Sequence, residues 1–412
     1  MNKRILATAL VMAMASSGVM AQTASGAIKA HWANGVLQVE GSSGGDMIRV
    51  TQRANVIMVN DGEVAISGGM ATTSNTRQIV VDGGDGDDRV SLDDPSGALP
   101  EAVLLGGDGN DFLMGGAGND TLLGGRGNDV LLGDRGNDRV EGQDGSDLLI
   151  WNNGDGSDFL EGGEGFDFVQ VNGSNDADDF DLSATAAGQT RVRFQRNNLG
   201  LFTLDIGTVE NLLVDGAGGD DLIDASQAGS GIALTLEGGD GNDQMIGGDG
   251  VDVLRGGAGN DTLIGGRGND VVLGQDGSDL LIVNDGDGSD SLEGGAGFDF
   301  VQVNGSNTAG DDFSIDPIDH GRVRFRRNNL SLFTLNIGTT ENLDVNGQGG
   351  SDVIIGSVGL NGVIGLDLDG GEGNDLLIGG DGVDLLNGGN GRDKCSSGGG
   401  RDELISCEIV IR

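Results

Sequence analysis

Isolated aliphatic residues recur at every ninth position through long stretches of this chain. From residue 238 to residue 282 the sequence reads GGDGNDQMI, GGDGVDVLR, GGAGNDTLI, GGRGNDVVL and GQDGSDLLI, with no residue between the units. Each unit has Gly at positions 1 and 4, usually Gly at position 2, Asp at position 6 and an aliphatic residue at position 8. One inward-facing residue between two flanking residues is typical of a very short strand. The pattern therefore predicts a turn followed by a three-residue strand.

Repetition of this unit predicts an all-β fold of stacked parallel strands. The six turn residues cannot continue the strand, so two units should complete one circuit of 18 residues. Strands on each side then stack at about 4.8 Å. Glycines at positions 1, 2 and 4 allow positive φ angles and a close approach of the backbone to an ion.

The units are organised as three imperfect copies of one module, the third shortened. Single units, runs of five or four, and pairs add up to 21 units. Two segments without the repeat separate the arrays, and they share the sequence RVRF(Q/R)RNNL(G/S)LFTL. Whether these inserts continue the stack or form separate small sandwiches is left open by the sequence. The predicted boundaries are a β-rich lead-in at 22–82, arrays at 83–170, 216–302 and 347–412, and β-rich inserts at 171–215 and 303–346.

The composition fits a thin, extended core. The 412 residues include 82 glycines and only 3% aromatics, and the formal net charge is -43. Such a chain repels nucleic acid and anionic membranes and attracts cations. A generally acidic surface is the alternative, but the acids fall at one fixed position of the repeat. The charge therefore predicts cation binding and no nucleic-acid partner.

Residues 1–21 have the features of a cleavable secretory signal peptide. Lys3 and Arg4 precede an apolar run that ends in Val19-Met20-Ala21, and the run is too short and interrupted for a membrane anchor. Removal of Lys3 and Arg4 with the peptide changes the net charge from -43 to -45. No later segment is predicted to span a bilayer. We expect an extracellular or cell-surface protein, with the periplasm as an alternative.

Two cysteines, Cys395 and Cys407, lie near the C-terminus of this exported chain. A disulfide closing a short loop is the predicted state, in preference to two free thiols or a metal site. Zinc would need more ligands than these thiols and the distant His31 and His320 supply.

Calcium is the cation that the repeat predicts. Stacking places the position-6 Asp of one unit close to the turn two units further on, as with Asp243 and Asp261, and stacked carboxylates repel unless a cation lies between them. Calcium takes 6 to 8 oxygen ligands from carboxylates and backbone carbonyls, whereas magnesium resists giving up its water. Soft metals would need Cys or His ligands, and the chain has only two of each.

In these nonapeptides the chain resembles the RTX, or hemolysin-type, calcium-binding repeat proteins. The resemblance implies a parallel β-roll in which several calcium ions are held between turns by Asp side chains and backbone carbonyls. Lone or terminal units are weaker candidates, and positively charged neighbours put Asp393 and Asp402 in doubt, whereas Asp252 and Asp261 have full neighbours. The ligands carried over onto this sequence are Asp88, Asp111, Asp120, Asp129, Asp138, Asp147, Asp158, Asp221, Asp243, Asp252, Asp261, Asp270, Asp279, Asp290, Asp375 and Asp384.

The chain departs from the toxins and proteases of that family. Those proteins usually leave the cell with an uncleaved C-terminal signal, and the sequence here has neither their membrane-active region nor a protease motif. Only His31 and His320 are present, so an HExxH site or a histidine pair is impossible. No catalytic residue is predicted, and a catalytic role for Ser43 in Gly-Ser-Ser-Gly-Gly is not supported by its context.

Two further features of the arrays and inserts were assigned structural roles. The arginine-rich strands of the inserts are predicted to be solvated faces, with binding of an anionic polysaccharide or an acidic module as the alternative. The aromatic residues that close the first two arrays are predicted to cap the core. These aromatic residues are Phe166, Phe168, Phe298 and Phe300.

The sequence thus predicts an exported calcium-binding protein that is not an enzyme. Its β-roll is expected to fold on binding calcium and to serve a structural or adhesive extracellular role, with a cell-surface polysaccharide or another surface protein as partner. The alternative is a secreted, polysaccharide-active enzyme that uses the β-roll as a calcium-dependent scaffold.

Overall fold

A computed structural model describes residues 26–93, 97–185 and 191–411. These residues fall into two compact units. The first comprises the residues up to Leu149 with Glu161–Phe166, and the second comprises Ile150–Leu160 with the residues from Asp167 onward. The predicted signal peptide lies outside the described residues. Across the described ranges, no helix is long and apolar enough to cross a membrane.

The first unit consists of two columns of short strands. In one column β2, β6, β8, β10 and β12 pair in parallel, and in the other β3, β7, β9 and β11 do so. Each column begins with an antiparallel pair, β1 on β2 and β4 on β3. The strands are β1 (Lys29–Ala33), β2 (Val36–Glu40), β3 (Met47–Arg53), β4 (Val56–Val59), β5 (Ile66–Ser67), β6 (Gln78–Asp85), β7 (Arg89–Asp93), β8 (Ala102–Asp108), β9 (Phe112–Met114), β10 (Thr121–Arg126), β11 (Val130–Leu132) and β12 (Arg139–Gly145).

The second unit is also built from columns of parallel strands, and the division between the units falls within β13 (Leu148–Asn152) and β14 (Phe159–Gly165). Its first strands are β15 (Phe168–Asn172), β16 (Asp179–Ala184), β17 (Val192–Arg196), β18 (Phe202–Gly207), β19 (Asn211–Asp215), β20 (Leu222–Gln227), β21 (Ala233–Asp240), β22 (Gln244–Ile246), β23 (Val253–Ala258), β24 (Thr262–Ile264), β25 (Val271–Gly277), β26 (Leu280–Val283), β27 (Ser291–Gly297) and β28 (Phe300–Asn304).

The remaining strands of the second unit continue to the end of the described chain. They are β29 (Asp312–Ile318), β30 (Arg322–Arg327), β31 (Phe333–Gly338), β32 (Asn342–Asn346), β33 (Val353–Gly356), β34 (Gly365–Asp369), β35 (Glu372–Gly373), β36 (Leu376–Ile378), β37 (Leu385–Asn387), β38 (Asn390–Gly391), β39 (Lys394–Ser396), β40 (Glu403–Ile405) and β41 (Ile409–Val410). Two single-turn 3-10 helices, Asn60–Gly62 and Asp319–Gly321, complete the secondary structure.

The pairing register confirms the 18-residue circuit. Thr262 pairs with Gln244 on one side and with Leu280 on the other, and each partner lies two nonapeptides away along the chain. Where Val283 and Asn284 add two residues, Leu280 pairs with Phe300 at a separation of 20 residues. The predicted all-β solenoid of parallel strands is therefore correct for each unit.

Both inserts join these columns. Strands β16, β17 and β18 form an antiparallel meander, and β16 then pairs in parallel with β20. In the second copy β29, β30 and β31 form the same meander, with β29 parallel to β33 and β31 parallel to β27. The inserts thus continue the stack of strands, which settles the alternative that the sequence left open.

The core along the arrays is narrow, because each strand contributes one inward-facing residue, as the position-8 pattern predicts. Leu113, Leu122, Leu254 and Leu263 occupy position 8 and have no exposed surface. Each column thus supplies one row of aliphatic side chains, and these rows replace the broad core of an ordinary domain.

Aromatic residues enlarge the core at the inserts. Phe180, Phe194 and Phe202 pack together, with ring centroids 5.0 to 6.4 Å apart. Trp151 lies against Phe202 at 4.0 Å. In the second copy Phe313, Phe325 and Phe333 form the corresponding row.

The prediction that the closing aromatic residues cap the core is wrong. Phe166, Phe168, Phe298 and Phe300 are 50%, 42%, 53% and 38% exposed. They occupy positions 5 and 7 of their units, and position 7 flanks the inward-facing position 8. Side chains on a strand alternate between faces, so position 7 points outward.

The predicted disulfide between Cys395 and Cys407 is present, with 5.9 Å between the Cα atoms. Cys395 occupies position 8 of its unit and is fully buried in the core row. The bond therefore ties the last turns of the described chain to the core.

Candidate metal centres

Every nonapeptide turn except the last, which holds Asp402, buries its position-6 Asp at the point where the turn meets the strand. Asp111, Asp129, Asp252 and Asp261 are at most 1% exposed, although a carboxylate at a turn is ordinarily solvated. The strand that follows each Asp fixes its position, because the position-8 residue two places later is anchored in the core. Burial of this acid repeats along both units.

One oxygen of each of these carboxylates is held by the backbone of the preceding turn. The N–H of the Asp in one turn donates to Oδ1 of the corresponding Asp one circuit further on, and these bonds measure 2.6 to 3.0 Å. We call this row of bonds the Asp ladder. Its members in the first unit are Asp46, Asp88, Asp111, Asp129, Asp147, Asp120 and Asp138, and in the second unit Asp178, Asp221, Asp243, Asp261, Asp279, Asp299, Asp252, Asp270, Asp290, Asp311, Asp352, Asp375, Asp393, Asp384 and Asp402.

The other oxygen, Oδ2, is buried without a hydrogen-bond partner in most of these turns. An unpaired buried carboxylate oxygen is costly and marks a place for a missing partner. The aspartates in this state are Asp88, Asp111, Asp129, Asp221, Asp243, Asp261, Asp270, Asp279, Asp299, Asp352, Asp375, Asp384, Asp393 and Asp402.

The unpaired oxygen lies beside the position-1 glycine and a backbone carbonyl of the next circuit. A Cβ atom added to Gly256 would lie 2.1 Å from Oδ2 of Asp261 and 2.6 Å from the carbonyl oxygen of Gly274. The same arrangement recurs at Gly238, where Asp243 and Gly256 supply the two oxygens. Glycine is therefore required at position 1 because a carboxylate and a carbonyl converge there.

The predicted positive φ is found at positions 2 and 4 and not at position 1. Gly257 and Gly259 have φ angles of 118° and 137°, and a Cβ on either would lie within 2.0 Å of the backbone of the preceding circuit. Position 2 keeps this conformation even when it is not glycine, since φ is 81° at Gln143 and 84° at Gln275. Such strain in a residue with a side chain is typical of functional turns.

Turns without the positive φ at position 2 pair both carboxylate oxygens. Asp252 is the clearest case, because its Oδ2 accepts the N–H of Gly248 at 2.8 Å and its Oδ1 accepts the N–H of Leu234 at 3.0 Å. The sequence ranked Asp252 with Asp261, yet only Asp261 keeps an unpaired oxygen. The left-handed residue at position 2 thus turns the N–H away and leaves the oxygen available.

Burial makes these carboxylates weak acids in the metal-free protein. Loss of water around Asp261 raises its pKa to about 7, an effect that the N–H of Asp243 opposes and the charges of Asp243 and Asp279 increase. The same causes raise the pKa to about 8 at Asp221 and Asp270, to about 7 at Asp88, Asp111, Asp129, Asp352 and Asp384, and to about 6 at Asp279, Asp290 and Asp375.

Several members of the site were missed by sequence reasoning. Asp299 and Asp352 follow the same geometry as the predicted ligands, and Asp393 does so despite its basic neighbours. Glutamates outside the repeat end the ladder, because the N–H of Asp299 donates to Oε2 of Glu341 at 2.8 Å and that of Asp393 to Glu408 at 2.8 Å. The shared sequence Gly-Thr-X-Glu-Asn in the two inserts was the available signal.

The remaining predicted ligands are less distinctive. Asp120, Asp138 and Asp147 are buried members of the ladder, and Asp158 and Asp290 are 5% and 4% exposed. All of the predicted aspartates therefore lie at turns of the solenoid, spread along the columns and not gathered at one centre.

Calcium fits these turns better than other common metals. Among residues 26–93, 97–185 and 191–411, no three His, Cys, Asp or Glu side chains converge on one point. An ion between turns would thus take carboxylate oxygens from the position-6 Asp and complete its shell with backbone carbonyls, an oxygen-only ligand set that suits calcium. The unpaired, buried Oδ2 atoms supply the negative charge that such an ion would neutralise.

The arginines of the inserts are mostly paired within the chain. Arg191 binds Asp205 at 2.7 Å, and Arg322 binds Glu293. Arg326 contacts Asp316, while Arg196 and Arg327 are buried, at 6% and 3% exposure. The prediction of a solvated face is therefore wrong for Arg196 and Arg327, and the internal pairs leave little free charge for an anionic polysaccharide.

Comparison with protein families identifies the repeat. The family described as RTX calcium-binding nonapeptide repeat (4 copies) matches residues 105–140, 123–150, 152–177, 235–254, 246–281, 284–307 and 369–404. The matched segments contain the arrays of buried aspartates described above. No curated protein matches the sequence.

Proposed function

Because this chain is an RTX calcium-binding repeat protein, we propose that it is exported and folds on binding several calcium ions, to serve a structural or adhesive role outside the cytoplasm. The observation that carries the proposal is the recurrence of a buried Asp Oδ2 without a partner, turn after turn. Without a cation, each turn buries an uncompensated carboxylate next to those of its neighbours. Calcium binding and folding are then one event.

Because folding would be coupled to calcium binding, the chain would fold outside the cell and not in the cytoplasm. Extracellular calcium modules commonly bind in the range of about 10⁻⁴ to 10⁻³ M, well above the calcium concentration of cytoplasm. The chain would stay expanded until it reaches the outside, because its net charge of -43 opposes compaction. The predicted signal peptide at residues 1–21 supports this route.

A non-enzymatic role is the simpler assignment. The buried acids are members of one repeated turn, and the chain has only two histidines for proton transfer. Stacked circuits, each contacting its neighbours, are suited to presenting the inserts to a partner. We assign the partner to the surface polysaccharides or proteins of a cell.

A calcium titration of the mature chain tests the folding proposal. Far-UV circular dichroism should show a gain of β-structure, and small-angle scattering a contraction, between chelator and millimolar calcium. Magnesium at the same concentration is the control and should produce little of either change. Equal compactness in chelator and in calcium would refute the proposal.

Adhesion is tested separately with a glycan array and with whole cells, each in calcium and in chelator. Binding that appears only in calcium supports an adhesive role. Binding that survives in chelator, or turnover of a bound polysaccharide, would reject the role proposed here, and turnover would favour the polysaccharide-active enzyme.

A further inference from the structure

The two inserts each begin with a turn that belongs to the Asp ladder but has a different environment. We call residues 173–178 and 305–311 the junction turns. Each starts with Gly and ends with Asp, and Asp178 and Asp311 donate their N–H groups to Oδ1 of Asp221 and Asp352 at 2.7 and 2.6 Å. The side chains of both junction aspartates are fully buried. By the logic of the arrays, each junction turn should need a cation.

The chain itself supplies that cation. Nε and Nη2 of Arg327 lie 2.6 and 2.5 Å from Oδ1 of Asp311, and the Arg327 side chain is 1% exposed. In the other copy Nη2 of Arg196 contacts Oδ1 of Asp178, with the Arg196 side chain 5% exposed. A guanidinium stays charged at any physiological pH.

Each arginine also reaches the preceding circuit. Nη1 of Arg327 donates to Oδ1 of Asp285 at 2.5 Å, and Nη1 of Arg196 donates to Oδ1 of Asn153 at 2.8 Å. Asn153 and Asp285 occupy equivalent places in the two copies, 132 residues apart. The guanidinium therefore bridges two stacked turns. In the array turns, a calcium ion would occupy the corresponding place.

The second oxygen of each junction Asp is satisfied as well. Oδ2 of Asp178 accepts the N–H of Ser174 at 2.8 Å, and Oδ2 of Asp311 accepts the N–H of Ser306 at 2.7 Å. Neither serine has the positive φ of position 2 in the arrays. The junction turns thus lack an unpaired Oδ2, and Oδ1 of Asp178, which accepts no hydrogen bond, is in ion-pair contact with Arg196. The fixed positive charge of the arginine would repel a calcium ion.

We propose that Arg196 and Arg327 are built-in cations that replace calcium at the two junction turns, so that these turns close without metal. The proposal rests on the proposed function only in treating the array turns as calcium sites. The aromatic rows of the inserts, with Phe313 and Phe325 at 5.0 Å, give each junction a core of its own. In chelator the junctions remain ordered while the arrays between them open.

Hydrogen exchange of the mature chain in chelator, read by mass spectrometry, tests this directly. Peptides covering the junction turns and the strands after them should exchange at least tenfold more slowly than peptides from the array at 238–282. Equal exchange in the two regions would overturn the proposal. If calcium slows the exchange of no peptide, the proposal that the chain folds on binding calcium is refuted. The comparison of junction peptides with array peptides in chelator still tests the role of the arginines in that case.

Arg196→Met combined with Arg327→Met should abolish the protection of the junctions in chelator. In calcium the variant should regain protection and bind up to two more ions by equilibrium dialysis. The matched control is Arg193→Met combined with Arg324→Met, which changes the more exposed arginines of the same two strands and should behave as the unmodified chain. Junction protection that persists in the Arg196 and Arg327 variant would refute the built-in cation.

A double variant that removes both charges of one ion pair controls for misfolding of the single variant. Arg327→Met with Asp311→Asn removes both buried charges of one junction, so this junction should stay protected in chelator and bind no additional calcium. Loss of protection in this pair as large as in Arg327→Met alone would mean that the arginine acts through packing and not through charge, and would also refute the proposal.

Discussion

The main-chain N–H of Asp243 donates a hydrogen bond of 2.9 Å to Oδ1 of Asp261, one circuit further along the chain. Oδ1 of Asp261 therefore accepts a hydrogen bond from the preceding turn, whereas Oδ2 has no hydrogen-bond partner and is available to a cation. The side chain of one turn thus completes the site of another.

Asp261→Ala should remove the hydrogen bond to the preceding turn and weaken cation binding. The substitution leaves the buried N–H of Asp243 without an acceptor, which costs about 1–3 kcal/mol of the free energy of unfolding in calcium, and it removes an oxygen that we propose as a calcium ligand. The midpoint of urea unfolding in calcium and the number of ions bound should both fall. Asp276→Ala, at an exposed position 3 of the same array, is the control and should change neither quantity.

Gln275→Gly should stabilise the calcium-bound protein. Gln275 has a φ angle of 84°, a conformation that costs a residue with a side chain on the order of 1 kcal/mol and glycine much less. The reverse test is Gly257→Ala, where the new Cβ would lie 2.0 Å from the carbonyl oxygen of Gly239. Thermal unfolding in calcium should give a higher Tm for the first variant and a much lower one for the second. A higher Tm for Gly257→Ala would contradict the tight stacking of the turns.

The stability of the metal-free protein should fall as the pH rises. Burial raises the pKa of Asp261 to about 7 and that of Asp270 to about 8, from an ordinary value of 3.8. The folded chain then binds more protons than the unfolded chain between pH 4 and pH 8, so folding is favoured at the acid end of this window and opposed at the alkaline end. In chelator, the β-signal in circular dichroism should be larger at pH 5 than at pH 8. In calcium the order should reverse, because the ion binds the ionised carboxylates; the same pH order in both buffers would argue against calcium at these residues.

Removal of the disulfide should affect only the C-terminal turns. Cys407→Ser opens the loop to Cys395, and closure of a loop of this length stabilises a chain by about 3 kcal/mol. Since each turn contacts only its neighbours, hydrogen exchange should accelerate in residues 385–411 and not at 238–282. Faster exchange in both regions would show that the solenoid unfolds as a single cooperative block.

Periodicity made the arrays predictable from the sequence. A spacing of nine residues with one aliphatic position fixes the circuit length, and it places residues such as Leu263 in the core and Asp261 at the turn. These features depend only on nearby residues. They were found without knowledge of how distant segments meet.

The junctions and the ends of the ladder were not predictable in the same way. Glu341 meets Asp299 across 42 residues, and Arg327 meets Asp285 across 42 residues. Both contacts arise because the antiparallel meander returns the chain to the column, and no local pattern encodes that return. The exposed Phe298 and Phe300 show the opposite error, because their size and apolar character predict a place in the core, whereas positions 5 and 7 of the unit are exposed.

The Asp ladder gives the solenoid a polarity. Each carboxylate accepts a hydrogen bond from the backbone of the turn before it, and Glu341 and Glu408 accept the corresponding bonds from Asp299 and Asp393, the last aspartates of their rows. Removal of a turn at the C-terminal side would leave a buried N–H of the remaining turn without its carboxylate acceptor. Removal of a turn at the N-terminal side would expose a carboxylate, which water readily solvates. An exopeptidase working from the C-terminus should therefore loosen each newly exposed turn, while one working from the N-terminus should meet a series of turns that hold firm.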